Sequence, residues 1–209
     1  MADEAALRVR WSRDVGTGQR ADDALAALLG RYREPHRRYH GVKHVAEVLA
    51  ACDELLARSR GLDDPAAVRL AAWFHDAVYD PRAVGGANEA SSATLAARVL
   101  GELGVATGRI SAVQRLVLMT AQHRPQGPDE AVLADADLAI LAARPAVYEA
   151  YRNGVRAEYA HVNEEAWRVG RASVLRSFLD RTAIYLVAPV EPREHHARAN
   201  LAAELALLG

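Results

Sequence analysis

Histidine and aspartate side chains occur in three separate parts of the chain, in settings that favour metal binding. They are His44, which follows His40 by four residues, the adjacent pair His75 and Asp76, and Asp137 within an apolar run. Imidazole nitrogens and carboxylate oxygens together suit divalent Mn, Fe, Co, Ni or Zn and, with more waters, Mg. Such an ion lowers the pKa of a bound water and neutralises charge on a phosphoryl oxygen. These residues therefore point to metal-assisted hydrolysis.

Each of these motifs also has an ordinary structural interpretation. An isolated His-Asp pair is more often a partly buried histidine beside a solvated or capping aspartate. Neighbours on a helix diverge by about 100°, so His75 and Asp76 share an ion only if it bridges their directions or the helix end bends. In the run LADADLAIL, Asp135 is the better candidate for a helix N-cap, which leaves Asp137 to point inward.

The elements that must position these residues are predicted to be helices. Apolar residues recur every three or four positions, and good helix formers dominate the composition. The expected fold is all-α, with a single domain over residues 1–209, a core at about 20–142 and a C-terminal helical layer at about 144–208. Helices are expected at about 20–32, 41–59, 65–78, 87–103, 108–123, 130–142, 144–161, 163–182 and 194–208.

Composition excludes several other classes of protein. A chain of 209 residues can bury a core without disulfides, and Cys52, the only cysteine, cannot form an intrachain disulfide or a cysteine-built zinc site. The net charge of -1 gives no global field that would recruit nucleic acid or an anionic membrane. Because neither a secretion signal nor a membrane span is recognisable, we expect a cytoplasmic protein. The sequence is compatible with a monomer or a homo-oligomer.

The order of these residues, with the sequences around them, resembles the HD superfamily of metal-dependent phosphohydrolases. RYHGVKH is similar to the RxYHNxxH element of a bacterial subgroup of predicted HD phosphohydrolases, and WFHDAVYD to its WFHDxVYD element. Gly41 stands where that subgroup tends to carry asparagine. The similarity runs from about residue 32 to the end through NEASSA, LADADLAIL, VRAEY, GRASVLRSFL and ARANLAAEL. It implies an HD-domain-like helical bundle with additional C-terminal helices, and metal ligation by His44, His75, Asp76 and Asp137.

The expected reaction is hydrolysis of a small phosphorylated substrate or nucleotide by metal-activated water. Asp76 is expected to ligate the ion and orient the water, while His123 or an arginine assists the departing oxygen. His123 also has a structural interpretation, as a histidine near a helix C-terminus that the helix dipole favours. Residues expected to contact substrate or support the ligands are His40, Asn88, Glu89, Arg156 and Arg171, with Arg152 as a further candidate cation.

Two other functions remain open at this stage. The same ligands, with His40 and His123 added, could hold two irons and catalyse an oxidation. The pocket could instead bind a nucleotide without turnover, as a sensing module. Metal stoichiometry distinguishes the first alternative, and ligand-dependent melting without turnover distinguishes the second.

Overall fold

The computed structural model describes residues 3–187 and 191–209, which form helices and contain no strand. The all-α prediction is therefore confirmed. None of the described helices is long and apolar enough to cross a membrane. The helices are α1 (Glu4–Val15), α2 (Gln19–Tyr32), α3 (Val42–Arg58), α4 (Pro65–Phe74), α5 (Ala87–Glu102), α6 (Thr107–Met119), α7 (Pro128–Asp137), a 3-10 helix (Leu138–Ala142), α8 (Pro145–Glu158), α9 (Glu164–Leu179) and α10 (Glu191–Leu208).

Helix α1 was not predicted. Asp3 caps it by accepting hydrogen bonds from the backbone N–H groups of the first turn. Only Leu7 and Trp11 are buried along its length, so its apolar stripe is too short to be recognised in the sequence. The indole N–H of Trp11 donates to the carbonyl of Ala21 at 2.8 Å, which fixes α1 against α2.

Three predicted helices end four or five residues earlier than expected, and each ends at or within four residues of a residue of the predicted site. The helix expected over 65–78 ends at Phe74, and the one expected over 108–123 ends at Met119. The helix expected over 130–142 is divided, because α7 ends at Asp137 and the chain tightens into the 3-10 helix. These changes of direction allow neighbouring side chains to point to one centre.

The apolar core consists of two clusters. The first is formed by α1 to α7 and includes Trp11, Leu49 and Trp73. The second joins the 3-10 helix, α8, α9 and α10, with Tyr148 and Leu201 among its members. The first cluster ends at residue 136 and the second begins at residue 138, so the predicted ligand Asp137 lies between them.

Helix α4 lies at the centre of the first cluster and holds one end of the site in place. All of its residues from Leu70 to Phe74 are buried. The Tyr32 hydroxyl donates to the Trp73 carbonyl at 2.9 Å, and the Trp73 indole donates to Asp14 at 3.0 Å. Because these two hydrogen bonds hold the backbone and the side chain of Trp73 in place, the segment that follows Phe74 begins at a fixed position.

Candidate metal centre

Three helices bring the predicted ligands together. His44 lies in the first turn of α3, on the same helix as the buried residues Val45, Val48 and Leu49. His75 caps the C-terminus of α4, and Asp76 follows in the turn where the helix has ended. Asp137 is the last residue of α7 and points inward as predicted. The bend after α4 resolves the problem that neighbouring side chains diverge on a helix.

The ligand atoms are spaced as a divalent ion requires. The Nε2 atoms of His44 and His75 are 3.1 Å apart, and Asp76 Oδ2 lies 3.2 and 3.1 Å from them. Asp137 Oδ1 lies 3.2 and 3.5 Å from the same two atoms. Metal–ligand bonds of about 2.1 Å at right angles place neighbouring ligand atoms about 3 Å apart. His44, His75 and Asp137 could therefore hold a metal ion, with ligand atoms that all lie within 4.8 Å of one another.

The two histidines are buried and oriented for ligation. The exposed fraction is 3% for His44 and 1% for His75. His75 Nδ1 lies 3.0 Å from the carbonyl of Ala72, which can only accept, so Nδ1 carries the proton. The lone pair of the neutral ring is therefore on Nε2, the atom that faces the other ligands.

The charges of the centre also suit a cation. Burial disfavours ionised carboxylates, but the nearby His75 and His44 hold the pKa of Asp76 well below its usual range. His75 and hydrogen bonds from the surrounding histidines do the same for Asp137. Burial would lower the pKa of His75, yet Asp76 and Asp137 raise it well above its ordinary value. The centre thus holds two ionised carboxylates. In the absence of a metal ion their negative charge favours protonated histidines, and a bound metal ion would balance that charge instead.

His123 joins the centre from the turn after α6. Its Nε2 lies 2.8 Å from Asp137 Oδ2, while Asp137 Oδ1 faces His44 and His75. The two oxygens of Asp137 thus face different histidines. His123 has a φ of 47°, a left-handed conformation that costs a side-chain-bearing residue about 1 kcal/mol or more. Arg181 supports this turn, because its guanidinium donates to the His123 carbonyl at 2.7 Å.

His40 lies in the turn before α3 and is held by Glu158, a residue that the sequence analysis did not select. His40 Nδ1 is 2.7 Å from Glu158 Oε2, and the Tyr79 hydroxyl donates to the same oxygen at 2.9 Å. The other oxygen accepts the backbone N–H groups of Arg38, Tyr39 and His40. Burial opposes ionisation of Glu158, but His40 and these N–H groups lower its pKa to about 2.

Arg37 is a second supporting residue that sequence reasoning missed. Its guanidinium donates to the carbonyls of His40 at 2.9 Å and Asp76 at 2.8 Å, and the side chain is almost completely buried. It therefore joins the turn before α3 to the turn after α4. The helical period of α8 places Glu158 on the same buried face as Tyr148 and Val155, but that period does not indicate the contact with His40. No comparable pattern identified Arg37.

The remaining predicted site residues are divided between the cavity and the surface. A cavity of about 830 Å³ is lined by Asp76, Asp137, His40, His123, Asn88, Glu89 and Arg171, among others. The Asn88 amide bonds to the backbone of Asp80, and Arg171 is paired with Glu204 at 2.8 Å. Neither Arg152 nor Arg156 lines this cavity. Arg156 packs its guanidinium over the Trp167 ring and pairs with Glu164.

The expectation that Asp135 caps a helix was wrong. Asp135 lies inside α7, which begins seven residues earlier at Pro128 with Gly127 as its N-cap. The Asp135 side chain is fully buried and accepts the backbone N–H groups of Leu186 and Val187 at 2.8 to 3.0 Å. It therefore fastens the segment before α10 to α7.

Comparison with known proteins does not assign a function to this site. No family model, curated protein or solved structure matches this chain.

Proposed function

We propose that this chain is a metal-dependent phosphohydrolase of the HD type, acting on a small phosphorylated substrate through metal-activated water. The supporting observation is the convergence of His44, His75, Asp76 and Asp137, from three helices, beside a cavity. When bound there, a divalent ion supplies an acidic water and a positive charge for a phosphoryl oxygen. The cavity volume of about 830 Å³ suits a small molecule rather than a polymer.

Asp76 has the position needed to orient the attacking water. It lines the cavity, and its Oδ2 is the oxygen that contacts both ligand histidines. This arrangement leaves Oδ1 to accept a hydrogen bond from the water. A carboxylate in this position would orient the water for attack on the phosphorus atom, which would lower the entropic part of the barrier.

His40 is favoured over His123 as the proton donor to the departing oxygen. His123 Nε2 is already bonded to Asp137. His40 donates its Nδ1 proton to Glu158, and its Nε2 makes no hydrogen bond to any residue among 3–187 and 191–209. Since His40 lines the cavity, its imidazolium form, which carries a proton on Nε2 as well as on Nδ1, can deliver the Nε2 proton to the leaving group and keep the Nδ1 proton on its hydrogen bond to Glu158. In this proposal His123 supports Asp137 instead.

Two arginines give the cavity positive charge near the centre. Arg124 and Arg181 line it on either side of the turn that carries His123, and neither forms an ion pair with a carboxylate in the described part of the chain. Arg171, by contrast, is neutralised by Glu204. Guanidinium groups bind phosphate oxygens strongly, so Arg124 and Arg181 are proposed to hold the phosphate.

Turnover of a phosphoester panel in the presence of single divalent metals tests this proposal. We expect hydrolysis by the wild-type protein and a loss of at least about 100-fold in Asp76→Ala and His75→Ala. His195→Ala, on the exposed side of α10, is the matched control and should keep wild-type activity. Equal activity in all four proteins would show that the candidate metal centre takes no part in the hydrolysis. Binding of phosphorylated ligands without turnover would favour the sensing module.

A di-iron oxygenase is the second candidate, because Asp137 presents one oxygen to His44 and His75 and the other to His123. A carboxylate in that position can bridge two ions. Metal analysis separates the candidates: two irons per chain together with oxygen consumption would favour oxidation. Turnover of phosphoesters with a redox-inactive ion such as Mg²⁺ would exclude that interpretation.

A further inference from the structure

We propose that one side of α9, formed by Ala166, Gly170, Val174 and Phe178, binds an aromatic alcohol portion of the phosphoester. This inference rests on the proposed function and assigns the class of its substrate. All four residues line the cavity that the metal centre adjoins. They are called the α9 face below.

The α9 face leads away from the metal centre. The ring centroid of Phe178 is 6.3 Å from that of His123, whose Nε2 is bonded to Asp137. Ala166 lies 12 residues before Phe178 on the same helix, which corresponds to about 18 Å at 1.5 Å per residue. A substrate with its phosphoryl group at the centre therefore has its alcohol portion beside α9.

The surroundings of the α9 face are aromatic, and a guanidinium that lies against the face, that of Arg181, covers the Phe178 ring at 4.3 Å from its centroid. Near its N-terminal end the rings of Tyr159 and Trp167 are 5.6 Å apart, and both line the cavity. The Arg156 guanidinium lies 5.1 Å from the Trp167 ring and holds it in place. The Arg171 charge on the same helix is neutralised by Glu204. Such a surface favours a flat apolar group through burial and ring–ring contact.

Gly170 leaves open the space that this group would occupy. No atom lies within 4 Å of a Cβ added at Gly170, and its backbone is ordinary helix. Val174, one turn further on, remains 45% exposed although it borders the cavity. A larger side chain at position 170 would therefore extend into the cavity without disturbing the packing of α9, which gives a direct steric test.

The test compares ethyl phosphate with 2-(1-naphthyl)ethyl phosphate, two esters whose leaving groups are primary alcohols of similar basicity. For the wild-type protein we expect kcat/KM to be at least about tenfold higher for the naphthyl ester. Gly170→Leu should abolish that preference, so that the ratio of the two kcat/KM values falls by at least about tenfold, to about one. The control is Gly101→Leu on α5, where an added Cβ also meets nothing and no cavity wall is altered. It should keep the preference.

Equal kcat/KM for the two esters in the wild-type protein would overturn the inference and leave the proposed function intact. An equal fall for both esters in Gly170→Leu would also overturn it. Calorimetry with the non-hydrolysable ethyl and 2-(1-naphthyl)ethyl phosphonates provides a readout without turnover. Naphthyl-selective binding that Gly170→Leu removes supports the α9 face even if no ester is hydrolysed, in which case only the proposed reaction fails.

Discussion

His40 and His123 both lie beside the candidate metal centre, but their hydrogen bonds suit different roles: His40 as a proton donor and His123 as a support for Asp137. If His40 protonates the departing oxygen, His40→Gln should slow ethyl phosphate far more than 4-nitrophenyl phosphate, whose leaving group needs no proton. We expect a loss of about 100-fold or more for the ethyl ester and less than about tenfold for the nitrophenyl ester. His123→Gln, the comparison variant, should slow both esters alike because it acts through Asp137. Equal sensitivity of both esters to His40→Gln would contradict the assignment.

Glu158 should contribute to stability in a pH-dependent manner. Burial opposes ionisation of its carboxylate, but His40 and the backbone N–H groups of Arg38 and His40 lower its pKa from 4.5 to about 2. A folded-state pKa below the unfolded value stabilises the fold above pH 4.5 and loses that effect as the pH falls towards 2. Denaturant unfolding should find Glu158→Gln less stable by roughly 3 kcal/mol at pH 7, with the difference shrinking below pH 4.5. A difference that does not change with pH would contradict this.

Residue types and spacing drew attention to His44, His75, Asp76 and Asp137, because each stands out from an apolar helical stretch, and the resemblance to the HD superfamily implied that they are the ligands. The same reasoning could not select Glu158, which contacts His40 only because α8 packs against the turn before α3. That packing depends on Gly154, where an added Cβ would lie 3.2 Å from Tyr39 Cβ. Contacts between residues more than one hundred positions apart carry no local sequence pattern.

At the scale of elements, the ends of helices matter more than their existence. Periodicity predicted most helices within a few residues, but the predicted helices continued past Phe74, Met119 and Asp137, where the structure ends them. No glycine C-cap marks these ends. At α4 the capping position is His75 itself. The helix therefore ends at the residues proposed to carry out the chemistry, and no sequence pattern marks these ends.

Substitution of Arg37 tests whether the turn before α3 and the turn after α4 depend on each other for their positions. It hydrogen-bonds the carbonyls of His40 and Asp76, so Arg37→Gln should misplace both residues. We expect the free energy of unfolding to fall by about 2 to 4 kcal/mol and metal affinity by about 10- to 100-fold. Arg38→Gln, at the more exposed neighbouring position, is the matched control. Unchanged metal affinity in a folded Arg37→Gln protein would show that the turns are positioned independently.

At the scale of the whole molecule, the candidate site lies where the two core clusters meet. The first cluster supplies the helices that carry the ligands, and the second supplies α8 and α9, which complete the cavity wall. Hydrophobic patterning predicted a core and a further helical layer. It could not predict the cavity between them, because that space depends on how the layers pack.

Metal binding should stabilise this arrangement, since the ligands converge only in the folded chain. At a free metal concentration 100 times Kd, the folded state gains about 2.7 kcal/mol. For a chain of 209 residues this corresponds to a rise in Tm of roughly 5 to 10 °C. Differential scanning calorimetry with and without Mn²⁺ measures it. His75→Ala should show no rise, and an equal rise in both proteins would place the metal elsewhere.

The most direct test of the metal centre is isothermal titration of the metal-stripped protein with Mn²⁺ in parallel with Asp137→Asn and His195→Ala. The account predicts saturable binding at one or two ions per chain in wild type and His195→Ala, and at least about 100-fold weaker binding in Asp137→Asn. Folded wild-type protein that binds no divalent ion, or a folded Asp137→Asn that binds as tightly as wild type, would contradict it.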